Sequence, residues 1–144
     1  MMLEIRRGEV RDLKAIAAIQ DASPDAAHWK PAEYLGYDLW VAVRENRVAG
    51  FLVVRSMGFQ PEGGEECEVL NLAVAPEARR QGIARRLFEA RFYGFFGAVY
   101  LEVRESNRSA REFYKSMGFQ EVSRRPDYYP SPNETAIVMK FHSC

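Results

Sequence analysis

The stretch Leu72-Ala73-Val74-Ala75-Pro76-Glu77-Ala78-Arg79-Arg80-Gln81-Gly82-Ile83-Ala84 decides how the rest of this chain is read. An apolar run stopped by proline reads as the end of a buried strand, and the rhythm Ile83, Leu87, Phe88, Phe92 that follows is helical. A loop between a strand and a helix gathers the free N–H groups of the first helical turn and the positive end of the helix dipole in one place. Such a place binds phosphate. Gly82 lets main chain approach an anion closely, Ala84 is too small to obstruct it, and Arg79 and Arg80 add charge at the rim. On these features alone, an Arg-rich helix start describes a solvated face more often than an anion site.

Outward from that loop, 61–66 is polar and turn-forming and 68–74 is a strand. The helix over 82–95 is closed by Gly94 or Gly97, either of which can take a left-handed cap. A strand follows over 99–103. Ser109 and Glu112 fit a capping box for a helix that runs to Met117 and stops at Gly118, before strands over 119–124 and 135–139. Upstream, 3–6 reads as a strand and 12–20 as a helix burying Leu13, Ile16, Ala17 and Ile19. Pro31 opens a second short helix, and 39–43 and 48–54 alternate around Glu45-Asn46 as a hairpin. The order is mixed α/β: antiparallel hairpins first, then strand-helix-strand-helix-strand, with a first crossover long enough for parallel pairing.

The 144 residues suit a single domain over 1–144, and no repeat, low-complexity tract or long linker interrupts the apolar patterning. Twenty Lys plus Arg balance twenty Asp plus Glu, so no overall field would hold the protein on nucleic acid or an anionic membrane. No apolar run reaches membrane-span length and the opening residues are charged too early for a secretory signal, which gives a cytoplasmic expectation. The two cysteines, Cys67 and Cys144, with His142 beside the latter, make neither a disulfide framework nor a metal site. His28 and His142 carry no role. The cations are sixteen Arg to four Lys, and the arginine fork suits fixed phosphates.

Leu72-Ala73-Val74-Ala75-Pro76-Glu77 and Gly82-Ile83-Ala84 resemble the acetyl-CoA-binding motif of the GNAT superfamily. Leu101-Glu102-Val103-Arg104-Glu105-Ser106-Asn107, Phe113-Tyr114-Lys115-Ser116-Met117-Gly118-Phe119 and Arg124-Arg125-Pro126-Asp127-Tyr128-Tyr129-Pro130 resemble its ribosomal-protein alanine N-acetyltransferase branch. The likeness is weakest over 20–38. It implies a mixed central sheet of about six to seven strands flanked by about four helices, with an acetyl-CoA groove at a splay between the two central parallel strands. Ala84 stands where the motif most often has glycine, and the aromatic stretch over 91–97 leaves the helix about one turn, ~4 residues, short. That stretch is core or a contact surface.

The activity implied is direct acetyl transfer from acetyl-CoA to an amine, with both substrates bound and no metal. An α-amine of pKa near 8 is roughly 10% neutral at pH 7 and a lysine side chain about 0.04%, so a modest base suffices for the former. Glu102 is the implied proton acceptor; strand alternation puts it on one face with Tyr100 and Arg104, and the competing reading is a surface Glu paired with Arg104 or a neighbour. Tyr114 is the implied proton donor to the leaving thiolate, or else part of an apolar helix face. Main chain of Leu72, Ala73 and Val74 would hold the pantetheine arm and stabilise the oxyanion. Arg79, Arg80, Gln81, Gly82, Ile83, Ala84 and Arg85 would cradle the diphosphate. Asn107 matches a cofactor contact and is also a favoured helix N-cap.

The implied partners are a protein N-terminus or a small amine, with neither nucleic acid nor membrane, and a monomer or homodimer as the assembly. Glu62, Glu65, Glu66 and Glu68 form an acidic patch that attracts a cationic terminus or is simply a solvated loop. Tyr128 and Tyr129 lie, by resemblance, near the acceptor groove, or shield the core. Trp29 and Trp40 read as core or lid rather than as a nucleic-acid platform. A non-catalytic acyl-CoA-binding module is the reading from another class.

Overall fold

Glu45 and Asn46 both take left-handed dihedrals, φ 52° and 62°, as a two-residue type I′ hairpin turn requires. They join β2 (Asp38–Arg44) to β3 (Arg47–Gln60), and β1 (Leu3–Arg7) pairs antiparallel along the other edge of β2. The computed structural model describes residues 2–24, 29–130 and 133–143; His28 and Cys144 lie outside them. Beyond the hairpin come α1 (Leu13–Asp21), β4 (Gly64–Val74), α2 (Ile83–Arg91), β5 (Gly97–Arg104), α3 (Arg108–Ser116), β6 (Gln120–Pro130) and β7 (Asn133–Ser143). The seven strands form one mixed sheet in the order β1-β2-β3-β4-β5-β7-β6. The second short helix at Pro31–Gly36 is 3-10 rather than α. No helix among the described residues is long and apolar enough to cross a membrane.

Contacts divide the chain into two compact units, Met1–Arg55 with Val69–Gly94, and Ser56–Glu68 with Phe95–Cys144. In the first, Ile16, Tyr34, Val41, Phe51, Leu52 and Leu87 are fully enclosed. The helix face expected to be buried narrows to Ile16 and Ile19, with Gln20 joining them, while Leu13 and Ala17 are half-buried. In the second unit, Val99, Leu101, Ile137 and Met139 are buried on one face of β5 and β7, which pair antiparallel from Gly97↔Ser143 to Arg104↔Ala136.

Several elements depart from the sequence reading. β4 begins at Gly64, so Glu65, Glu66 and Glu68 belong to a strand rather than a solvated loop, paired in parallel with Gly97, Ala98 and Tyr100. Close approach makes this possible: a Cβ on Gly97 would stand 1.9 Å from the Glu65 carbonyl oxygen and one on Gly64 2.4 Å from that of Phe96. Gly97 therefore opens a strand, and the left-handed residue past α2 is Gly94, φ 68°. α2 stops at Arg91, so the aromatic stretch divides: Phe92 packs 4.6 Å from Phe88, while Tyr93 is exposed. α3 is capped by Asn107, whose Oδ1 accepts the Ala110 N–H at 3.2 Å, and the box expected from Ser109 and Glu112 lies inside the helix. Finally, β6 and β7 run well past 119–124 and 135–139, because each completes the other's hydrogen bonds.

Candidate active site

Two constellations carry the residues singled out above, one in each unit. In the first, β4 ends at Val74 and a 3-10 turn over Pro76–Ala78 leads to Gly82, the N-cap of α2 in the left-handed region at φ 78°. Gly82 offers no capping side chain, and the helix begins its own bonding only where the Arg86 N–H meets the Gly82 carbonyl at 3.0 Å. A Cβ at Gly82 would meet nothing within 4 Å, so the space in front of the helix start is open. Arg80, at φ 63°, Gln81 and Gly82 are exposed, Ala84 and Arg85 half-buried, and Ile83 anchors the turn in the core. A diphosphate fits such a cradle: open room, main-chain donors and the positive helix end together.

The side chains around the loop act largely on the loop itself. Arg79 donates to the Val74 carbonyl at 3.2 Å, the Ala22 carbonyl at 3.3 Å and Ser23 Oγ at 3.2 Å, tying the end of β4 to the end of α1. Gln81 accepts from Arg44 and donates to the Glu77 carbonyl at 3.5 Å. Behind the loop lies a buried polar chain that the sequence reading does not assign. Tyr34 donates to Gln20 Oε1 at 2.5 Å, Asn71 Nδ2 donates to Tyr34 Oη at 3.0 Å, and Gln20 Nε2 donates to the Trp29 carbonyl at 2.7 Å. Burial pushes the Tyr34 phenol above its ordinary value, against the opposing bond from Asn71. Asn71 Oδ1 accepts the Leu72 N–H at 3.0 Å, so that main-chain donor is already engaged. Leu72 and Val74 are half-buried and Ala73 is buried. A lone polar residue inside the apolar run of β4 was the available signal for this chain of bonds.

In the second unit, alternation along β5 is as expected: Leu101 and Val103 are buried, whereas Tyr100, Glu102 and Arg104 share the other face. The Glu102 side chain is only 18% exposed. Its Oε1 accepts from Arg125 Nη1 at 2.6 Å, and its Oε2 is buried without a hydrogen-bond partner. The ion pair is thus with Arg125 of β6, while Arg104 pairs with Glu134 at 3.4 Å. Tyr114 lies on α3, 7% exposed, edge-on to Phe119 at 5.4 Å. Burial raises its phenol well above the usual value, so it holds its proton throughout the neutral range.

Tyr128 and Tyr129 meet edge to face at 5.2 Å, with the Arg125 guanidinium over the former at 4.6 Å and that of Arg104 over the latter at 4.2 Å. The Tyr129 phenol is pushed up to about 12, first by burial and then by the Glu102 charge. Trp29, half-buried, stacks on Tyr34 at 6.1 Å, and Trp40, also half-buried, donates to Asp38 Oδ1 at 2.8 Å. Asn107 performs its capping duty with a half-buried side chain.

Residues 7–119 match the family described as Acetyltransferase (GNAT) family. The chain is 35% identical over 85 residues to the ribosomal protein bS18-alanine N-acetyltransferase of Haemophilus ducreyi, covering 54% of this chain and 59% of that one. Against three curated relatives the chain spans 29%, 59% and 55% of their lengths. Among solved structures, the ribosomal-protein-S18-alanine N-acetyltransferase of Escherichia coli superposes with a TM-score of 0.80 and 28% identity, covering 98% of this chain and 94% of that one. Naa20 of Chaetomium thermophilum, solved with a bisubstrate analogue, gives a TM-score of 0.82 and 29% identity over 96% of this chain and 86% of its own.

Proposed function

This chain belongs to the Acetyltransferase (GNAT) family, and from that premise we propose that it moves an acetyl group from acetyl-CoA to the α-amine at a protein or peptide N-terminus. The observation that carries the reading is Glu102, a carboxylate with one oxygen tied and the other buried and unpartnered, which is the condition of a proton acceptor awaiting a donor. The cradle of Gln81, Gly82, Ile83 and Ala84 holds the diphosphate of acetyl-CoA, largely through main chain, with Arg79, Arg80 and Arg85 completing it. The strand end at Leu72, Ala73 and Val74 holds the pantetheine arm. Asn107 adds a polar contact to the cofactor.

In the reaction, the neutral amine attacks the thioester carbon; the N–C bond forms, the C–S bond breaks, and no acyl-enzyme intervenes. Glu102 takes the proton that the amine sheds. Tyr114, kept protonated by burial, gives its proton to the departing sulfur. The setting is cytoplasmic, and the acceptor is a terminus rather than a lysine because one weak carboxylate base suffices for an α-amine.

Incubation with acetyl-CoA and a panel of peptides differing in their first residues, read by mass spectrometry and by thiol release, tests this. We expect one acetyl group on the α-amine and none on internal lysines. Acetylation of small amines alone would make the protein a small-molecule enzyme. Tight acetyl-CoA binding without thiol release for any acceptor would leave only a binding module.

A further inference from the structure

We infer that Arg125 is the positioning residue for the Glu102 carboxylate, holding Oε1 so that Oε2 is the oxygen presented to the amine. The inference rests on Glu102 acting as the base. Its starting point is the asymmetry of that carboxylate: Arg125 Nη1 lies 2.6 Å from Oε1, whereas Oε2 has no partner although it is buried. A buried acceptor without a partner is costly, and a native structure keeps one where the group has work to do.

The sheet shows why Arg125, and not its neighbour Arg124, reaches this carboxylate. Glu102 lies opposite Val138 of β7, which lies opposite Ser123 of β6; Arg104, Ala136 and Arg125 form the next row on the same face. Two strand spacings, about 10 Å, separate β5 from β6, and the long arginine arm crosses them diagonally. Ala136, a small residue on the intervening strand, leaves the path open. The register depends on a bulge between Glu121 and Ser123, where two steps of β6 face one step of β7. Were the bulge absent, with Val122 paired opposite Val138, every later side chain of β6 would change face and Arg124 would stand opposite Ala136. As folded, Arg124 instead pairs with Glu105.

A second irregularity, between Arg125 and Tyr129, steadies the cation. Three β6 residues, Pro126, Asp127 and Tyr128, face a single β7 position, with Asp127 in the left-handed region at φ 55°. Proline has no N–H to lose at such a bulge. The turn brings the Tyr128 ring beneath the Arg125 guanidinium at 4.6 Å, and stacking on one side while bonding on another restricts the fork to one orientation. Of the other cations on this face, Arg104 is engaged by Glu134 and by the Tyr129 ring, and Lys140 lies over the Tyr100 ring at 5.4 Å.

Steady-state kinetics of Arg125→Ala, Arg125→Lys, Glu102→Gln and the Glu102→Gln/Arg125→Ala double variant test the inference, with melting temperatures in parallel. Arg125→Ala lowers kcat tenfold or more with the KM for acetyl-CoA within twofold of wild type, and added ethylguanidinium restores part of the loss. Arg125→Lys falls between. The double variant is no slower than Glu102→Gln alone. An Arg125→Ala enzyme at wild-type kcat, beside an impaired Glu102→Gln, overturns the role of Arg125 and leaves the base intact. Losses that multiply in the double variant, or that ethylguanidinium does not touch, overturn it as well. A Glu102→Gln enzyme at wild-type rate removes the base itself.

Discussion

At Gly82 a single substitution separates folding from binding. Aspartate tolerates the left-handed conformation better than most residues, and at an N-cap its carboxylate bonds the first-turn N–H groups and suits the helix dipole. Gly82→Asp is therefore expected to fold, with a melting temperature within a few degrees of wild type, while its carboxylate takes the donors that a diphosphate needs. Calorimetry is expected to show acetyl-CoA affinity weakened by more than about tenfold; wild-type affinity would place the nucleotide elsewhere. Tyr114 yields the complementary result. Its hydroxyl sits in a buried, strongly protonated state, so Tyr114→Phe removes a proton donor and almost no volume. Turnover is expected to fall roughly a hundredfold, within the range of a lost general acid. Cofactor affinity stays the same. Unchanged turnover would return Tyr114 to the apolar helix face that its contact with Phe119 already fits.

Among the elements, α3 shows how a cap can serve two ends at once. Asn107 Oδ1 holds the Ala110 N–H, and the Asn107 carbonyl accepts from Arg111 at 3.1 Å as the helix begins. Asn107→Ala is expected to cost about 1 kcal/mol in denaturant unfolding, and Asn107→Ser to recover most of it. If the serine variant recovers stability yet binds acetyl-CoA more weakly than wild type, the side chain also touches the cofactor; equal losses of stability in both variants would deny the cap. The sequence offers this helix two caps, the box at Ser109 and Glu112 and the Asn two residues earlier, and only the chain's exit from β5 chooses between them, in favour of Asn107. The hairpin at Glu45-Asn46 was legible because its signal is local. The start of β4 and the lengths of β6 and β7 were not, since they depend on partners distant in sequence and on glycines that permit contact rather than advertise it. Arg125 was hidden for the same reason: one bulged residue decides which of two adjacent arginines meets Glu102.

At the scale of the whole molecule, zero net charge at pH 7 leaves little self-repulsion there, and the specific part of the response to acid comes from particular carboxylates in each unit. In the first, Arg6 donates twice to Asp12, at 2.8 and 3.0 Å, and the Glu9 N–H donates to it at 2.8 Å. The Arg6 bonds outweigh burial and hold the Asp12 carboxyl below its ordinary value. In the second, Arg111 and Lys115 hold Glu121 low in the same way, Arg111 foremost. A carboxylate lowered by folding contributes stability above its unfolded pKa and loses it as pH falls through the folded one. Both units therefore weaken below about pH 4 while remaining insensitive between pH 6 and 8. Melting curves from pH 7 to pH 3 are expected to show that profile. Asp12→Asn, which leaves the Arg6 fork without its anion, is expected to melt on the order of 5 °C lower at pH 7, in line with the cost of unpairing a buried polar group. Because the variant has no charge left to lose at this position, its curve approaches that of wild type as the pH drops. Parallel curves, with the same gap at pH 3 as at pH 7, would mean that Asp12 stabilises by shape rather than by charge.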